Sequence, residues 1–236
     1  MAVALFCFAS CGDQDDKETT ETTTSDSTST GTTATTNTPT STITTIPQNM
    51  MVVRHKVADY NKWKTSYDEH DSLRMAGGVR TYVIGRGLND SNTVLVSVKV
   101  DDMTKAKAFA KDPSLKKAMQ KGGVVGEPVI NFTTMVYRDT AKISDLRSRT
   151  TFTVKDWDRW QRSFDSTRQI RLDNGLVDRA YGHDADDNHK VTLVVAVTDT
   201  AKAYAFWKSD QLKRNRAASG VTSQPVRFIY RVVEQH

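Results

Sequence analysis

The chain reads VADYNKWKTSYDEHDSLRMAGGV over residues 57–79 and VKDWDRWQRSFDSTRQIRLDNGL over residues 154–176, and the two stretches are versions of one another. Val57 falls on Val154, Asp59 on Asp156, Trp63 on Trp160, Asp68 on Asp165, Arg74 on Arg171 and Gly78 on Gly175, all at an offset of 97. The register continues without a gap through Gly85/Gly182, Val98/Val195, Phe109/Phe206, Leu115/Leu212, Gly123/Gly220 and Pro128/Pro225. That makes about 25 identities in roughly 83 aligned positions. Self-similarity at a fixed offset is the mark of repetition, and two copies mean a duplicated domain rather than a solenoid.

Each copy carries the same local signals. A strand (residues 52–57; 150–154) runs into a helix that Asp59 or Asp156 announces near its start. Along that helix Tyr60, Trp63, Tyr67, His70 and Arg74 recur at spacings of three and four, matched by Trp157, Trp160, Phe164, Thr167 and Arg171. Gly77-Gly78 and Asn174-Gly175 are C-terminal stops. A second strand (80–86; 176–182), a polar turn and a β-branched third strand (93–100; 191–198) read as an antiparallel pair. A second helical region follows (104–121; 201–219), broken at Asp112-Pro113 in the first copy, and a last strand closes each unit (129–137; 226–233).

The order β-α-β-β-α-β is the ferredoxin-like split unit. One such sheet covers a single face with helices and leaves the other apolar. Two units in one chain can bury those faces together. The expectation is therefore an α+β fold, with repeats over 48–140 and 141–236 forming a pseudo-dimeric α+β barrel that is monomeric in solution.

The segment before the repeats has a different composition. Residues 2–10 are apolar, and Phe8-Ala9-Ser10-Cys11 resembles a bacterial lipobox, so 1–11 is expected to be a signal with Cys11 lipidated, though no basic residue precedes the apolar run. Residues 12–47 open acidic (Asp13, Asp15, Asp16, Glu18) and become Thr- and Ser-rich without an aromatic, the composition of a disordered tether. As flexible chain it would span roughly 30–36 Å. A lipid-anchored, extracytoplasmic place in the cell envelope is the expected location, with the membrane met through the anchor alone. No apolar run reaches the roughly 18–20 residues of a membrane-spanning helix. Cys7 and Cys11 are the two cysteines, which excludes a disulfide framework or a cysteine nucleophile in the repeats. Of 33 basic and 28 acidic side chains, 32 and 22 fall on residues 48–236. Among them Lys105, Lys107, Lys111, Lys116, Lys117 and Lys121 spread along helical faces, so a solvated basic face is expected and nucleic acid is not.

The segments VRHKVADYNKWKTSYDEHDSLRMAGGV (53–79) and VKVDDMTKAKAFAKDPSLKKAMQKGGVVGEPVI (98–130) resemble small bacterial proteins of the dimeric α+β barrel superfamily, the antibiotic-biosynthesis-monooxygenase-like or cyclase-like kind. The resemblance implies the barrel fold. It leaves the chemistry open, because that superfamily spans cofactor-independent monooxygenases, haem-degrading enzymes and members without assigned activity. Haem-degrading relatives use an Asn, a Trp and a His where this chain has Arg54/His55, Val98/Lys99 and Met119/Gln120, and the second copy has Thr151/Phe152, Val195/Ala196 and Arg216/Ala217. Haem is therefore disfavoured, and no cofactor is expected.

In this fold the ligand pocket lies between helices and sheet within each unit. Trp63, Tyr67, His70 and Arg74 should look into it from the first helix. His55, alternating with Val53 and Val57, should face it from the sheet. His55 and His70 are the candidate catalytic pair, histidine being the side chain type whose charge changes near neutral pH. Trp63, Tyr67 and Arg74 are the candidate ligand contacts, with Arg74 offering a fork to a carboxylate or enolate. The bland alternative makes His70 and Arg74 an edge-of-core pair, Arg74 bridging to Asp71. Copy two has Phe152 and Thr167 in place of the histidines, so one polar pocket, in the first repeat, is expected. His183, Asp184, Asp186, Asp187 and His189 fall in a turn and read as turn residues, not metal ligands. The function expected is binding of a small anionic or aromatic molecule. A cofactor-independent monooxygenase or isomerase acting on an aromatic or enolisable substrate, and a purely structural surface protein, are the alternatives.

Overall fold

The structure, a computed structural model, describes residues 41–236. Cys11 and the tether up to residue 40 lie outside the described residues. A two-residue strand β1 (Ile43–Thr44) opens the described chain. The first repeat then runs β2 (Gln48–Val57), α1 (Tyr60–Glu69), α2 (Asp71–Ala76), β3 (Val79–Gly87), β4 (Thr93–Val100), α3 (Met103–Phe109), α4 (Pro113–Lys121) and β5 (Val124–Asp139). The second runs β6 (Leu146–Thr153), α5 (Trp157–Ser166), α6 (Arg168–Asp173), β7 (Leu176–Asp184), β8 (Lys190–Val197), α7 (Thr200–Lys208), α8 (Asp210–Ala218) and β9 (Val226–Gln235). α1 and α5 begin 97 residues apart, as do β3 and β7, α3 and α7, and α4 and α8.

The shared residues explain the shared boundaries. Asp59 Oδ1 accepts the Lys62 amide at 2.7 Å and Asp156 Oδ1 accepts the Arg159 amide at 2.6 Å. Asp102 and Asp199 cap α3 and α7 in the same way, through Lys105 N and Lys202 N. Such N-caps contribute about 1 kcal/mol each. Gly78 and Gly175 take left-handed φ of 70° and 68° after α2 and α6, where a side chain would be strained. Two breaks differ from the sequence expectation. The single helix expected from Asp59 to Gly77 is two, α1 and α2, hinged at His70, and α5 and α6 hinge likewise at Thr167. The second copy also breaks, without a proline, at Ser209, whose hydroxyl accepts the Leu212 amide and starts α8.

Nine strands among the described residues make one sheet in the order β1-β5-β2-β4-β3-β9-β6-β8-β7, and β5 pairs also with β7, which closes it. The closure depends on β5 and β9. Each lies between the first strand of its own repeat and the second strand of the other: β5 between β2 and β7, β9 between β6 and β3. At these seams the strands approach so closely that only glycine fits. A Cβ on Gly182 would overlap the Thr134 carbonyl, and one on its counterpart Gly85 would overlap the Tyr230 ring. The two glycines shared at this position are therefore seam residues.

Alternation then sorts the side chains between two environments. Met51, Val53, Val57, Val96 and Val98 face the helices and pack with Trp63, Ala106 and Phe109. Val52, Leu95 and Tyr230 face the barrel interior with Val83, Phe228 and Val232. The tether also ends sooner than the expected Pro47, because Ile43 and Thr44 pair antiparallel with Asp139 and Arg138 of β5. Among the described residues no helix is long and apolar enough to cross a membrane.

Candidate functional site

Between the helices and sheet of the first repeat lies a cavity of about 70 Å³. His55 and Val53 from β2, Trp63, Tyr67 and His70 from the α1 region, Arg74 from α2 and Met119 from α4 all border it. All five candidate residues thus meet at one place, as helix and strand periodicity indicated. The wall is overwhelmingly apolar, however. Trp63 is buried, stacks on Tyr67 with ring centres 5.0 Å apart, and lies 5.4 Å from the His55 ring. Burial pushes the Tyr67 phenol up in pKa, and its hydroxyl is held by Thr81 Oγ1 at 2.7 Å.

His55 is the polar feature of the cavity that has no structural partner. It is 6 % exposed, and neither ring nitrogen has a hydrogen-bond partner among the described residues. Burial lowers its pKa from 6.5 to about 4. At neutral pH it is an uncharged imidazole, with one N–H to give and one lone pair to accept with.

His70 and Arg74 are committed elsewhere. His70 Nδ1 donates to the Ser66 carbonyl at 2.6 Å, tying down the hinge between α1 and α2. In the second repeat Thr167 Oγ1 donates to the Ser163 carbonyl at 3.0 Å, and Ser163 is the counterpart of Ser66. A histidine and a threonine therefore do one job, satisfying a carbonyl that the hinge leaves free. Arg74 donates to the Tyr67 carbonyl and to Asp71 at 2.9 Å, with its guanidinium 3.6 Å above the Tyr67 ring. Arg171 repeats this with the Phe164 carbonyl, Asp178 and the Phe164 ring. The edge-of-core alternative describes both residues better than a ligand role does.

The expected contrast in polarity is reversed. The second repeat has its own cavity of about 90 Å³, and its border includes Thr150, Asn215, Arg216 and Arg227. Arg227 lies 4.1 Å over the Trp207 ring, and burial together with the neighbouring Arg216 lowers its pKa to about 10. One polar pocket in the first repeat was expected from the histidines. The second pocket is the more polar because arginines on α8 and β9 enter it, and nothing in their sequence neighbourhood marks them as inward-facing. The acidic turn residues pair locally or with lysine: Asp186 with Lys107 of the first repeat at 2.6 Å, and Asp187 with His189 and Lys190.

No family model and no curated protein matches the chain. Solved structures do share the fold. A protein proposed to be a monooxygenase, from Lactobacillus acidophilus NCFM, superposes with a TM-score of 0.52 at 10 % identity, over 79 % of this chain and 93 % of that one. An anthrone oxidase-like protein gives 0.52 at 14 %, over 80 % and 92 %. A haem-binding protein from Thermus thermophilus gives 0.50 at 8 %, over 81 % and 94 %. The chain has the α+β barrel architecture of these proteins. A macrocycle does not fit here, since both cavities are smaller than the roughly 150 Å³ that holds a single benzene ring.

The state of His55 has a consequence for stability. Its pKa falls from 6.5 in the unfolded chain to about 4 in the fold, so between these values the unfolded state binds the proton. The proton linkage costs nothing above pH 6.5, and stability falls as pH drops through 6.5 toward 4, by on the order of 3 kcal/mol in total. Urea unfolding at pH 7.0 and 4.0 should show a smaller loss for His55→Phe than for the wild type. Equal losses would mean that the imidazole is charged or solvated in the fold.

Proposed function

We infer that the chain is a cell-envelope protein that binds a small aromatic or enolisable molecule in its first-repeat pocket, with His55 as the polar contact. The unpartnered imidazole in an apolar cavity carries this reading. A buried polar group without a partner destabilises a fold unless something satisfies it. A phenol or enol would satisfy it, giving its O–H to one ring nitrogen or accepting from the other. Met119 and Met51 border the cavity, and methionine is the side chain best able to repack around a ring. The names of the monooxygenase-type and anthrone oxidase-like neighbours are in keeping with such ligands, though a shared fold does not transfer activity.

The lowered pKa of His55 supports binding over base catalysis. Moving a proton from a phenol of pKa about 10 to a base whose conjugate acid is near 4 is uphill by about six units, roughly 8 kcal/mol. Enzymatic bases are tuned toward neutrality, not away from it, so His55 serves recognition.

Phenol is the simplest probe. Calorimetric titration of the wild type at pH 7 should show saturable binding, weakened about tenfold or more in His55→Phe and unchanged in Phe152→Leu, its counterpart in the other pocket. A crystal soaked in phenol that leaves the first pocket empty would assign the cavity to packing alone. The envelope location rests on the lipobox resemblance at Phe8–Cys11 and the acidic, Thr-rich stretch after it. Acylation of Cys11 is expected to label the chain with a radioactive fatty acid in cells, and label that persists in Cys11→Ser would overturn it.

A further inference from the structure

The closed barrel encloses a third cavity, of about 80 Å³, on the face of the sheet opposite both helix-side pockets. Val52, Leu95, Val194 and the Tyr230 ring form an apolar wall. Its charged lining is cationic: Arg138, Arg147, Arg149 and Arg179 border it, with Tyr82, Ser97 and Gln235, against the single carboxylate of Asp139. Arg147 and Arg179 are each 6 % exposed. Arg179 Nη1 lies 3.3 Å from Asp139 but is misaligned for a hydrogen bond, and it has no other partner among the described residues. Arg147 Nη1, Arg149 Nε and Arg138 Nε have none either. Arg149 reaches Thr192 Oγ1 only at 3.4 Å.

A guanidinium does not escape burial by losing its proton. Burial lowers Arg149 to about 10, still above neutral pH, and burial with Arg179 nearby lowers Arg147. Like charges crowded away from water, each with a buried donor nitrogen unmet, are strongly unfavourable without a counter-charge. Nor does the fold require them. At the equivalent lumen-facing positions of β2 the first repeat has Met50 and Val52, and its half of the barrel closes with those apolar residues. Arginines that the architecture can do without, buried with donors free, have the character of a ligand site.

We propose that the barrel interior binds a small oxyanion or carboxylate, phosphate- or sulfate-sized, held by Arg147, Arg149 and Arg179. The planar fork of each guanidinium matches two oxygens of such an anion. The space, about 80 Å³, has room for one small anion. The exposed Gln235 and half-buried Arg138 mark its mouth. Asp139 orients Arg179, and β1, paired to Asp139 and Arg138, steadies that end of β5. This site is independent of the His55 pocket and of the Arg216–Arg227 pair, which lies on the other face of the sheet.

The test is thermal melting of the full chain in low-millimolar sodium phosphate against sodium chloride of equal ionic strength, where general salt exclusion is negligible. At about 100 times Kd, phosphate should raise Tm by about 5–10 °C. The double variant Arg147→Met, Arg149→Val, which copies the first repeat, should lose this response and melt above the wild type in anion-free buffer. Arg216→Ala with Arg227→Ala should retain it. A wild type indifferent to phosphate, sulfate and acetate overturns the proposal, as does an unchanged response in the double variant. Should that variant fail to fold, crystals of the wild type soaked in selenate decide: an anomalous peak beside Arg147 supports the site, and peaks only elsewhere refute it.

Discussion

The exchange of last strands is the constraint on which the rest of the molecule depends. β5 and β9 each complete two repeats at once, so neither repeat has a finished sheet without the other. Paired on both sides, these strands leave no open edge at the seams, and edges are where sheets aggregate. The glycines at 85 and 182 are the local condition for that arrangement, since a side chain at either would push the seam apart. The enclosed interior follows from closure, and so does the separation of the sheet into a helix-facing and a lumen-facing side.

On that common backbone the two repeats have diverged in what they enclose. The hinge and the arginine after it are kept in function: His70 or Thr167 holds a serine carbonyl, and Arg74 or Arg171 stacks on an aromatic ring. The sheet positions are not. His55 in the first repeat is Phe152 in the second, and Met50 and Val52 become Arg147 and Arg149. These positions all border cavities.

Much of this was legible in the sequence, for reasons that can be named. The offset of 97 fixed the repeat, the capping aspartates and terminal glycines fixed the helix ends, and strand alternation placed His55 under the helices. Three things were not legible. The hinge bond of His70 depends on a carbonyl four residues back, which no side-chain pattern reveals. The pairing of β5 with β7 joins residues far apart in the chain and has no local signal. Leu146-Arg147-Ser148-Arg149-Thr150 alternates charge and small residues as a solvent-facing strand would, and only closure of the barrel turns that face inward.

Sedimentation of one repeat by itself tests the strand exchange most directly. Residues 41–236 should sediment as a monomer with one cooperative unfolding transition. Residues 48–140, left with the β3 edge and the far side of β5 unpaired, should self-associate or fail to fold. A stable monomeric half, unfolding cooperatively and as soluble as the whole, would contradict a barrel held closed by exchanged strands.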